Sequence, residues 1–98
     1  MDEIAIEIEG IFSDIILPAR TEKSVNEGAF VKLEELMTIL KKEIIDNESI
    51  SRRLAGVLFS LYILLNAEAQ YCKYDNPLFI KTAKLEEDLS VIFGEHIS

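Results

Sequence analysis

Leu54-Ala55-Gly56-Val57-Leu58-Phe59-Ser60-Leu61-Tyr62-Ile63-Leu64-Leu65 is apolar on almost every side if it is helical. A helix in a small bundle needs to bury only one stripe, so this stretch carries surplus apolar surface. On a helical wheel, Ile50, Leu54, Val57, Leu58, Leu61, Leu64 and Leu65 share one broad arc, which reads as the core stripe. Phe59 and Ile63 fall on the opposite side, with Arg52, Asn66 and Gln70 above and below them. Two readings stay open. Either the helix lies centrally and packs on two sides, or Phe59 and Ile63 form a dimer seam or partner groove that Gly56 and Ser60 let another helix approach. Burying the pair contributes about 1.5–3 kcal/mol per side chain before association costs, enough to anchor an interface but not to form one alone.

The rest of the chain divides around this segment at three breaks, with no internal repeat. Asp2 to Leu17 places Ile4, Ile8, Ile11, Phe12 and Ile15 on one helical face. Ile4, Ile6 and Ile8 also alternate with Ala5, Glu7 and Glu9, as a strand would. No convincing partner strand exists elsewhere, so helix is the expectation here. Pro18 is expected to end it. Ser24 and Glu27 match a capping box and predict a second helix to about Asp46, with Phe30, Leu33, Leu36, Met37, Leu40 and Ile44 inward. Asp46-Asn47-Glu48-Ser49 is a polar break in which Asn47 or Ser49 is the expected cap of the third helix, which reaches Tyr71 or Cys72. Asn76 and Pro77 start a fourth helix, and Gly94 follows its end at Phe93. Short loops place successive helices antiparallel. The expected fold is all-α, a small antiparallel four-helix bundle of one domain spanning residues 1–98. The fallback is a three-helix core with an extended N-terminal arm.

The chain has 98 residues, 18 acids against 10 lysines and arginines, and a net charge of −8. That charge disfavours nucleic acid and anionic lipid surfaces and draws basic partners inward. No stretch is long and apolar enough to span a bilayer, no leader is visible after Met1-Asp2-Glu3, and Cys72 is the single cysteine. A cytoplasmic location is the expectation. The only histidine is His96, which reads as a solvated tail residue. Di-iron bundle sites need a Glu-x-x-His motif on each of two helices, and Ser-His-Asp or Cys-His chemistry would hang on that same histidine. Cys72 lacks a fellow thiol and reads as a small apolar filler. Asp46-Asn47-Glu48 lacks the pattern of a calcium loop. Neither an enzyme nor any metal or other cofactor is expected.

The features left are surfaces. Glu3, Glu7 and Asp14 form an acidic ridge on the first segment, which holds five acids and no base in its first 17 residues. It reads either as a solvated face or as a docking face for a basic protein. Tyr71 and Tyr74 flank the last break and read equally as interface anchors or as a seal on the bundle end. Glu68 lies in phase with the core stripe, so it is expected at a wet rim, paired with Lys73 or another base. Glu86-Glu87-Asp88 reads as a solvated charge run. In size, charge and fold class the chain is similar to bacterial immunity and antitoxin proteins that sequester a basic toxin. By that analogy Glu3, Glu7, Asp14, Phe59, Ile63, Tyr71 and Tyr74 would meet another protein, with no nucleic acid or membrane partner. The alternative is a structural homodimer or adaptor joined through the third helix.

Overall fold

A computed structural model describes residues 2–46 and 49–94; Asn47 and His96 lie outside the described residues. It contains α1 (Asp2–Glu22), α2 (Glu27–Glu43) with a short 3-10 turn at Ile44–Asp46, α3 (Arg52–Ala69) and α4 (Pro77–Phe93). No strand is present among the described residues, so the helical reading of residues 2–9 holds.

Several helix ends differ from the sequence expectation. α1 does not stop at Leu17 but runs through Pro18 to Glu22. The ring removes the amide that would bond the Asp14 carbonyl, at a cost of about 3 kcal/mol in a helix interior. Asp14 lies on the exposed side of α1, where water can offset part of that loss. Ile15, Ile16 and Ala19 are buried on both sides of the proline, which favours carrying the helix onward. α1 ends where Lys23 enters the left-handed region at φ 53. The Lys23 amide then bonds the Ala19 carbonyl at 3.2 Å, and the Ser24 amide bonds that of Pro18 at 3.1 Å. Ser24 therefore closes α1 rather than opening α2. The cap of α2 is Asn26, whose side chain accepts from the Ala29 amide at 3.1 Å. Similarly, the cap of α3 is Ser51, which accepts from the Leu54 amide, rather than Asn47 or Ser49, and the helix ends at Ala69, a little before the expected Tyr71 or Cys72. Asn76, Pro77 and Gly94 (φ 75) act at α4 as their residue types predict.

Successive helices run antiparallel, but chain neighbours are not all neighbours in space. α1 packs most extensively on α3, then α3 on α4, α1 on α2 and α2 on α4, while α2 and α3 scarcely touch. Charge pairs give the directions. Glu9 meets Arg53 near the starts of α1 and α3, and Lys23 meets Glu68 at their ends, so these two helices are parallel. Lys81 meets Glu34 in the first halves of α4 and α2, and Asp88 meets Lys41 in their second halves, so these are parallel too. The order around the bundle is therefore α2, α1, α3, α4. The core combines Ile4, Ile8, Ile15, Phe30, Leu36, Met37, Leu40, Leu54, Leu58, Leu61, Leu65, Leu78 and Leu89, each almost wholly enclosed.

Replacing Pro18 with alanine restores one backbone bond and removes the ring clash, offset by greater freedom of the unfolded chain. Pro18→Ala should stabilise the bundle by about 2 kcal/mol, read from the urea midpoint at constant slope. A loss of stability would mean that packing of the half-buried ring outweighs the missing bond.

Candidate functional site

The groups singled out in the sequence fall on three separate surfaces. Glu3, Glu7 and Asp14 are exposed along α1. Two acids of this region are drawn into the bundle's own pairs: Glu7 forms an ion pair with Lys32 at 3.2 Å, and Glu9 accepts from Arg53 Nε and Nη2 at 2.9 and 2.6 Å. The second surface is at the opposite pole. Tyr71 and Tyr74, 81 % and 82 % exposed, lie just past the end of α3, and so do not seal the bundle. Tyr74 borders a shallow groove with Phe79, Ile80, Ala83, Lys84 and Glu87. Because α1 and α3 are parallel, the tyrosines sit beside the end of α1, roughly 30 Å from Glu3 at 1.5 Å per residue. A partner that covered both would have to lie along the whole of α1.

The third surface is the outer side of α3, where Phe59 and Ile63 part company. Phe59 is half-buried against the Phe93 ring, with centroids 4.9 Å apart and planes tilted by 35°. Ile63 remains 61 % exposed. The surplus noted in the sequence is thus resolved unevenly: α4 covers the phenylalanine and leaves the isoleucine in the open.

Glu68 is paired as expected, but with α1 rather than with Lys73. Lys23 Nζ donates to its Oε1 at 2.6 Å, and Arg20 Nε lies 3.9 Å from its Oε2. The same ammonium sits 5.8 Å from the Tyr71 ring centroid, so one lysine ends a helix, neutralises a rim carboxylate and holds an aromatic ring. Cys72 is half-buried, with Sγ 3.8 Å from the Glu68 carbonyl oxygen.

The Glu86-Glu87-Asp88 run does not form one solvated face. Glu86 and Glu87 are exposed, but the Asp88 side chain is only 5 % exposed, and its Oδ1 accepts from Lys41 at 2.5 Å and Lys84 at 2.6 Å. Phase explains the difference, since Asp88 is three residues after Leu85 and four before Ile92, both buried. The hydrogen bond to Asp88 raises the Lys84 pKa above its ordinary value. Burial, and then the nearby Glu86 carboxylate, raises that of Tyr62. Among the described residues no group of three or more His, Cys, Asp or Glu side chains is placed to hold a metal ion. No helix described is long and apolar enough to cross a membrane.

Sequence reasoning missed Phe79 and Ile80, which extend the tyrosine surface along α4. It also missed Ile6 and Leu17, which stand exposed on α1. Wheel phase is the signal that reveals them, because each lies well off the buried stripe of its own helix.

Two outcomes test this description. Ile63→Ser should change stability by less than about 0.5 kcal/mol, whereas Phe59→Ala should cost about 1–3 kcal/mol through loss of the Phe93 contact. The Arg53 hydrogen bonds hold the Glu9 carboxyl below the usual carboxylate range. A depressed folded-state pKa means that the pair's contribution is complete above the free value of 4.5 and fades as pH falls through the lower folded value. Glu9→Gln should therefore flatten part of the acid limb of a urea-midpoint profile measured below that pH. An unchanged limb would show that the pair contributes nothing to folding.

No protein-family model, curated protein or solved structure matches the chain.

Proposed function

We propose that the chain is a small acidic protein-binding module that works by covering a surface of a basic partner, as an immunity or antitoxin-type inhibitor does. The observation that carries this reading is the exposed aromatic pole. Tyr74 borders a groove with Phe79 and Ile80, and Tyr71 stands at the same end of α3 beside Lys23, with both tyrosines more than four-fifths exposed. Tyrosines of this kind supply large contact area at low conformational cost and are over-represented among the residues that dominate binding energy. The net charge of −8 supports a basic partner, since long-range attraction raises the encounter rate and opposite charges at the rim fix orientation. Inhibition by occlusion asks nothing of the module beyond a stable shape and a complementary face.

A second reading, a homodimer, is favoured by the bare Ile63 on α3, with the exposed Gly56 and Ser60 about two turns and one turn before it. The two readings separate in one measurement. The protein is immobilised, exposed to extract from its source cells, and washed at low and at physiological ionic strength, while its mass in solution is read by light scattering. The inhibitor reading expects a monomer that retains one basic protein stoichiometrically, with Tyr71→Ser/Tyr74→Ser losing it and part of the retention falling as salt rises. A dimer that captures nothing supports the structural subunit. A monomer that captures nothing at any salt removes the binding reading.

A further inference from the structure

Ile4, Ala5, Ile8, Ile15, Ile16 and Ala19 mark the buried side of α1. At 100° per residue, the direction facing squarely away from them is occupied by Ile6, Gly10 and Leu17. Ile6 is 52 % and Leu17 56 % exposed. Gly10 lies between them, and a Cβ built there meets nothing within 4 Å, so the fold itself does not require a glycine at this point. Its presence weakens the helix interior and leaves a flat notch between two aliphatic side chains. Acids frame this stripe on both sides: Asp2 and Glu9 along one edge, and Glu3, Glu7 and Asp14 along the other, all exposed. Glu3 and Asp14 have no ion-pair partner among the described residues, and Glu7 and Glu9 stay 48 % and 40 % open despite Lys32 and Arg53. The first base on the helix is Arg20, at the far end and near Glu68.

We propose that the outer face of α1 is a docking surface for a cationic amphipathic helix of another protein. An apolar seam with acids on both edges is the complement of a helix that carries an apolar seam between lysines or arginines. The eleven steps from Ile6 to Leu17 span roughly 16 Å, three turns of such a partner. Gly10 gives a bulky partner side chain room to reach the α1 backbone. Charge excludes the competing occupants. A second copy of this face would set acid against acid, and anionic lipid or nucleic acid would be repelled. The inference deepens the protein-binding reading by naming the chemistry of a partner, and it stands on residues other than those of the tyrosine pole.

The probe is a synthetic peptide of about 18 residues in which leucines and lysines repeat with helical period, long enough to overlie the seam. Its control has the same composition scrambled to abolish the seam. Binding is followed by fluorescence anisotropy with the full chain, whose folding is checked by circular dichroism. The patterned peptide should bind about tenfold more tightly than the scrambled one. Ile6→Ser/Leu17→Ser and Glu3→Gln/Asp14→Asn should each weaken it by about fivefold or more. Glu86→Gln/Glu87→Gln, the same charge change on α4, and Tyr71→Ser/Tyr74→Ser should each stay within about twofold. Equal binding of the two peptides, or an equal effect of the α4 variant, would reduce the interaction to bulk electrostatics and overturn the proposal. Loss with the tyrosine variant alone would also overturn it, while leaving the protein-binding reading intact. If neither peptide binds, the α1 surface is excluded, and the wider reading then stands or falls on the partner-capture measurement.

Discussion

The seam between α1 and α3 is the contact on which the rest of the bundle hangs, and charge fixes its direction. α1 carries Glu9 in its first half and ends in Arg20 and Lys23, the sense that its own macrodipole favours. α3 has the opposite arrangement, with Arg53 in its first turn and Glu68 in its last. Those positions are unfavourable for the dipole of α3, so the two residues make sense as partners of α1. Running α3 the other way along α1 would bring Glu68 toward Glu9 and Arg53 toward Arg20 and Lys23. Individual surface pairs contribute only about 0–1 kcal/mol, but choosing between two directions requires only the difference between attraction and repulsion at both ends.

Once α1 and α3 lie side by side and parallel, the remaining helices have little freedom. α2 must return along α1 and α4 along α3, which makes α2 and α4 parallel neighbours and leaves α2 and α3 diagonally opposite. Asp88 then serves the α2–α4 contact as Glu68 serves the α1–α3 contact. A carboxylate on the inner edge of one helix is held by a lysine from the next, here Lys41, with Lys84 from its own helix completing the clamp. Removing both lysines would leave the buried Asp88 carboxylate uncompensated, whereas Lys41 and Lys84 keep access to water and could turn outward if the carboxylate were lost.

Much of this was legible in the sequence, for reasons that are local. The leucine stripe of α3 needed only periodicity, and Asn76, Pro77 and Gly94 act through their own backbone preferences. What was not legible depends on what lies across the gap. Pro18 looks like a terminator until Ala19, packed beyond it, is seen to favour another turn. Ser24 and Glu27 form a capping box in spacing alone, while Asn26 holds the geometry because the left-handed Lys23 has already turned the chain. Phe59 and Ile63 are equivalent on a wheel and become different only when Phe93 arrives beside one of them. The acidic ridge drew the eye to charge, so the aliphatic line of Ile6 and Leu17 between the acids went unread. Asp88 was hidden in a run of like residues, although its phase with Leu85 and Ile92 was available.

The order of the helices has a practical consequence. α1 starts at the same pole at which α4 finishes, opposite the two tyrosines. A fusion or surface tether joined ahead of Asp2 or beyond Gly94 therefore departs from the pole opposite the tyrosines. The termini are not equivalent, however, because a bulky domain joined ahead of Asp2 would crowd Ile6 within about one turn, while one joined beyond Gly94 would leave both faces unobstructed.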